Sequence, residues 1–251
     1  MVSFDMLVFE IDCELTSYKV TQCIWDGEKV SDKVVLSISC QFDDTTQLKE
    51  TLQTNKVVVS ECKVVVVYPS FFSNKMKVQM CVILYDDLGA NETYFINSAV
   101  LALYSSGHTT GCSVEILDKM SYVSSIYEGF ALPHAIDTMD VGNNDLTDTI
   151  FQSIMKCDVD IRRDLFANVV LSSTEKVVTG LDKRIQKELQ DMAPPSMKVN
   201  VVKNVANYVF SGVGILASIA NDDWLEAGTS NRWMTKTEYD ELGSEVVLQK
   251  F

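Results

Sequence analysis

The sequence predicts an α/β fold. Short β-branched or apolar runs recur along the chain, and stretches with apolar residues spaced i, i+3 or i+4 alternate with them. A chain of 251 residues with 47% hydrophobic content is long and apolar enough for one large core or two smaller ones.

The elements follow in order. Met6 to Ile11 reads as a buried strand that Asp12 ends. Cys13 to Val20 and Gln22 to Trp25 lead to the turn Asp26-Gly27, which predicts a hairpin, with Val34 to Ile38 as a third strand. Asp43 to Gln53 reads as a helix, with Leu48 and Leu52 one turn apart and acidic residues at its start. Val57 to Val59 and Val64 to Tyr68 are β-branched and read as strands. Pro69 then opens a loop holding Phe71 and Phe72. Lys75 to Leu84 fits either an alternating strand or a helix. Tyr94 to Tyr104 reads as a helix, and Gly107 and Thr109 to Gly111 make the next turn. Cys112 to Val114 and Met120 to Ile126 read as strands.

Ile126 to Asp148 reads as a strand end, a turn at Gly129 stiffened by Pro133, and a helix entry. Thr147 to Met155 continues as helix. Asp158 to Leu171 is amphipathic through Ile161, Leu165, Val169 and Val170. Gly180 to Met192 is another such helix, through Leu181, Ile185, Leu189 and Met192, and Pro194-Pro195 ends it. Val199 to Val202 is a strand. Val209 to Gly214 reads as a strand running into a glycine turn, with Ile215 to Ala220 starting a helix. Asn221 to Asn231 is polar and loop-like. Glu238 to Leu242 is a last helical turn before the apolar tail Val246 to Leu248. No fixed-period repeat or low-complexity linker interrupts the chain.

Composition limits the function. A net charge of −14 argues against nucleic acid as a partner, because phosphate binding needs a basic face. Seven cysteines at wide, irregular spacing, with no CxxC, predict reduced thiols in a cytosolic or nuclear setting. With only His108 and His134 present, no Cys/His metal cluster is expected. The N-terminal stretch lacks the basic region of a signal peptide, and no apolar run approaches the roughly 20 residues needed to span a bilayer, so no membrane insertion is expected. No Ser or Cys stands beside a His/Asp pair, and no pair of carboxylates has a catalytic rationale of its own, so no catalytic residue is assigned.

Residues 126–136 read IYEGFALPHAI and residues 143–148 read NNDLTD. This order resembles the actin family's IYEGYALPHAI…GRDLTD. The likeness extends through residues 98–111, SAVLALYSSGHTTG, which resemble QAVLSLYASGRTTG. Residues 151–168, FQSIMKCDVDIRRDLFAN, resemble FNSIMKCDVDIRKDLYAN. Residues 193–198, 215–218 and 237–243 resemble further blocks in the family's order. The resemblance implies an actin-like, ribonuclease-H-like fold. It divides the chain into residues 1–125 (the N-terminal part of a subdomain-1-like lobe), 126–210 (a subdomain-3-like lobe) and 211–251 (a return to the first lobe). Two family segments look missing: one after Asp148, including subdomain 4, and one between Trp25 and Val58, where subdomain 2 would lie. Asp222 to Ser230 looks added.

The family's nucleotide site can be carried over position by position. Its first phosphate loop, DNGSG followed by a lysine, falls on Asp12 to Thr16 and Lys19. Asp12 and Lys19 match, both glycines are gone, and Glu14 stands where a glycine should be. Its second loop, DSGDG, falls on Glu115 to Lys119; Asp118 matches, Glu115 keeps its charge, and again both glycines are gone. Without glycines a loop cannot bring its backbone N–H groups close to phosphate. Ser98 stands for the family's water-positioning glutamine and Tyr122 for its histidine. Asp12, Lys19 and Asp118 are therefore candidate remnants of a cofactor site; the plain reading is inherited strand-end residues, solvated or paired with each other. Gly212-x-Gly214 reads as a tight turn. The family's partner groove corresponds to Tyr104, Gly107, Thr109, Leu216 and Ile219, a helix-in-groove site or simply packing.

The resemblance thus implies a shortened structural protein that binds protein partners, actin itself among them, in a cytoplasmic, cytoskeletal or nuclear assembly, with no cofactor and no metal. The alternative is an actin-type protein that still binds Mg-ATP and polymerises. A third reading is a chain with no independent role, which predicts poorly cooperative folding.

Overall fold

In the computed structural model, residues 4–11, 18–26, 30–38, 45–117, 120–140, 146–173, 179–204, 208–221 and 233–251 are described. In chain order the elements are β1 (Phe4–Ile11), β2 (Tyr18–Trp25), β3 (Val30–Ile38), α1 (Thr46–Thr54), β4 (Lys63–Tyr68), α2 (Asn74–Val82), β5 (Glu92–Asn97), α3 (Ser98–Ser105), β6 (Gly111–Ile116), β7 (Met120–Tyr127), β8 (Phe130–Asp140), α4 (Leu146–Met155), α5 (Val159–Ala167), β9 (Val169–Ser173), α6 (Leu181–Met192), β10 (Val201–Lys203), α7 (Tyr208–Asn221), β11 (Met234–Thr235), α8 (Lys236–Leu242) and α9 (Val246–Lys250). They fall into two compact units, Met1–Ile96 with Val213–Phe251, and Asn97–Gly212.

The first unit is built on a six-stranded mixed sheet, β11-β5-β4-β1-β2-β3. β1, β2 and β3 form an antiparallel meander, and β4 returns parallel to β1 through α1. That parallel return requires a crossover, which α1 supplies by burying Leu48 and Leu52 from one face. Phe9, Leu7, Val64, Val66, Met80, Leu84 and Phe95 fill the core around it. α2 is capped by the Ser73 side chain and runs on into a π-helical segment, Ile83–Asp87. There the Tyr85 hydroxyl donates to the Met234 carbonyl at 2.6 Å, and Asp86 accepts from the Tyr239 hydroxyl at 2.8 Å.

The C-terminal helices are fixed by one carboxylate. Thr235 and Glu238 form a capping box at the start of α8, and the same Glu238 accepts from the Lys250 ammonium at 2.7 and 2.8 Å. Burial would push the Glu238 carboxyl up, but its hydrogen bonds from Lys250 and Thr235 win and hold it below its usual value of 4.5. A depressed folded-state pKa contributes stability above the unfolded value that is lost as pH falls through the folded one. Glu238→Gln is therefore expected to lower the melting temperature at pH 7 and to cost less at pH 3, where protonation weakens the same interaction in wild type. An equal cost at both pH values would remove the carboxylate from this role.

The second unit repeats the plan on a five-stranded sheet, β10-β9-β6-β7-β8. β6, β7 and β8 are an antiparallel meander, and β9 and β10 lie parallel to β6. Its core holds Val114, Val123, Ile150, Ile154, Leu165, Phe166, Ile185 and Leu189. The serine hydroxyls of Ser125 and Ser153 meet at 2.9 Å inside it, and Ser153 also donates to the Ala135 carbonyl. Among the described residues, the thiols of Cys23, Cys62, Cys81, Cys112 and Cys157 are all buried, and burial pushes those of Cys81 and Cys112 up to about 12.

Several local expectations change. Val57 to Val59 is not a strand: Val57 N–H bonds the Leu52 carbonyl to close α1, and a 3-10 turn follows at Val59–Glu61. The ambiguous Lys75 stretch is helical. Tyr94 to Asn97 is strand, not helix, because β5 lies in the sheet between β11 and β4. Val169 and Val170 leave the expected helix for β9, where pairing with Cys112 and Ser113 of β6 outweighs the helical spacing. Residues 130–140 are an edge strand that tolerates Pro133. Val209 to Gly214 is helix, continuous in α7; Gly212 is there because a Cβ would meet the Leu101 carbonyl at 2.6 Å. The expected division at residues 125/126 gives way to one at 96/97, since β6 and β7 pair with each other and β6 with β9. The other division, expected at 210/211, falls inside α7 at 212/213.

Candidate functional site

The second unit brings two of the sequence-aligned nucleotide positions together. Asn97 caps α3 by accepting from the Ala99 N–H at 2.8 Å, which fixes Ser98 in the first turn. The buried Ser98 hydroxyl donates to Glu115 Oε1 at 2.6 Å. Glu115 lies near the end of β6, in register with Tyr122 of β7 on one side and Ser172 of β9 on the other. Tyr122 is buried and its hydroxyl donates to the Met120 sulfur. The residues in place of the family's glutamine and of the first aspartate of its second loop thus bond each other directly. A serine hydroxyl donating to a neighbouring carboxyl oxygen satisfies a buried acceptor.

Lys19 lies in the first unit, on β2 opposite Glu10 of β1. Its ammonium stands 3.9 Å from Glu10 Oε2. Burial pushes the Glu10 carboxyl up, and the Lys19 charge partly offsets this. Lys19 therefore has a cross-strand partner, a pairing that needs no ligand to account for it. Asp12 and Asp118 lie outside the described residues. Among the described residues no group of three or more His, Cys, Asp or Glu is placed to hold a metal ion.

The candidate partner residues divide between the units. Leu216 is buried and Ile219 half-buried on the first-unit part of α7. Tyr104, Gly107 and Thr109 belong to the second unit, where Tyr104 and Thr109 brace the tip of the β7–β8 hairpin. The two turn residues, Glu128 and Gly129, have φ of 48° and 83°, the left-handed pair that a two-residue hairpin turn requires. The Gly129 N–H donates to the Thr109 carbonyl at 2.8 Å, and the Glu128 N–H to the Thr110 hydroxyl at 3.0 Å. The Tyr104 hydroxyl packs so closely that a Cβ on Gly129 would lie 2.5 Å from it.

This bracing presents two aromatic side chains that sequence reasoning missed. Phe130 is 75% exposed and Tyr127 38% exposed, paired across the turn. Glu128, and more weakly Asp164, push the Tyr127 phenol up by placing negative charge beside it. The Glu-Gly turn in residues 126–136 marks a hairpin tip, but alternation alone does not say that its aromatic neighbours face solvent. An exposed aromatic on a fixed turn can anchor a partner at small entropic cost, because little freedom is left to lose.

Among the described residues no helix is long and apolar enough to cross a membrane. The sequence model of the family described as Actin matches residues 40–152 and 147–251. The two matches meet at residues 147–152, the join where a family segment looks missing. With most of its length matched, and two mixed sheets built to one plan, the chain belongs to the actin family.

Proposed function

We propose that this chain is a shortened, divergent actin-family scaffold that binds protein partners in a cytoplasmic, cytoskeletal assembly and does not hydrolyse ATP. The observation that carries the loss of hydrolysis is the Ser98–Glu115 hydrogen bond. Hydrolysis needs a group that positions water and a carboxylate available to a hydrated metal. Here a short hydroxyl replaces the longer amide and is bonded to the carboxylate itself. Both phosphate loops lack glycine, and Lys19 has Glu10 as a neighbour. These residues fit Mg-ATP poorly, so no chemical step is assigned to it. The missing family segments also remove surfaces that filament growth would use.

The test is a thermal shift with Mg-ATP. The expected result is no rise in melting temperature at millimolar nucleotide, because a ligand that does not bind the folded state cannot stabilise it. A rise of several degrees would replace this proposal with the nucleotide-binding alternative, and Asp12, Lys19 and Asp118 would then be the first residues to mutate.

For binding, the reading rests on the braced hairpin tip. Phe130→Asp is expected to abolish co-purification of the partners that the wild-type chain retains from its native source. Its circular dichroism and melting temperature should stay those of wild type, since the side chain is already in solvent. Unchanged partner recovery would move the docking surface elsewhere on the molecule.

A further inference from the structure

No further inference is drawn: the strongest candidate, the exposed leucines Leu242 at the end of α8 and Leu248 on α9 with the exposed carboxylates Asp240, Glu241 and Glu245 along the same segment, carries nothing because nothing in the structure shows what covers them.

Discussion

Replacing Gly111 with alanine or valine is expected to cost the second unit about 3 kcal/mol, the upper end of what overpacking a close-packed core usually costs. Gly111 opens β6 where the Asn168 backbone comes close. A Cβ there would lie 2.3 Å from the Asn168 carbonyl oxygen, 2.7 Å from Leu103 Cδ2 and 2.9 Å from Asn168 Cβ. The Asn168 carbonyl is not free to retreat. It accepts from the Cys112 N–H at 2.9 Å, and the Asn168 side chain donates to the Thr110 carbonyl at 3.0 Å. Those two bonds start the parallel pairing of β6 with β9, so relieving the clash means breaking them. Because the collision is at Cβ, alanine should lose most of what valine loses. Urea denaturation of both variants measures this. A loss under about 0.5 kcal/mol for alanine, the usual range of a neutral surface change, would show that β6 and β9 can separate without cost. The position also bears on the candidate site, since β6 carries Glu115 to Ser98.

The fold class was legible because strand and helix periods differ and this chain keeps them distinct over most of its length. Two of the misreadings share one cause. Val169 and Val170 continue the spacing of α5, and Tyr94 to Asn97 continues toward α3, yet each lies where a strand partner waits. Helical spacing in a short window cannot report a partner far away in sequence, here Cys112 for Val169 and Met234 for Thr93. The doubled plan of meander plus parallel return was hidden for the same reason: it is a repeat of topology that needs no repeat of sequence. In the site, the sequence aligned Ser98, Glu115 and Tyr122 one by one as substitutions. That Ser98 and Glu115 compensate for one another is a statement about 2.6 Å between side chains separated by the loop after α3. Lys19 shows the same limit: it stands opposite Glu10 of β1, and the one turn signal nearby, Asp26-Gly27, follows β2 and does not give its register against β1.

Phe9 and Phe130 show how far burial separates residues that composition counts as equal. Phe9→Ala is expected to destabilise the first unit by about 3–5 kcal/mol, as for large aromatic truncations in well-packed cores. The side chain is fully buried on β1, with strands on both sides: it stands in register with Val20 on β2 and Val66 on β4. β1 is also the strand from which the meander and the parallel return both start, so collapse around the cavity would have to distort two pairings at once. Phe9→Leu, which keeps most of the volume, should cost less than about 1.5 kcal/mol. Phe130→Ala, at the exposed tip of the β7–β8 hairpin, should change stability by no more than about 0.5 kcal/mol. Denaturant titration of the three variants gives the order directly. If Phe130→Ala cost as much as Phe9→Ala, the hairpin tip would be packed against something in solution, and its assignment as the open docking surface would fall with it.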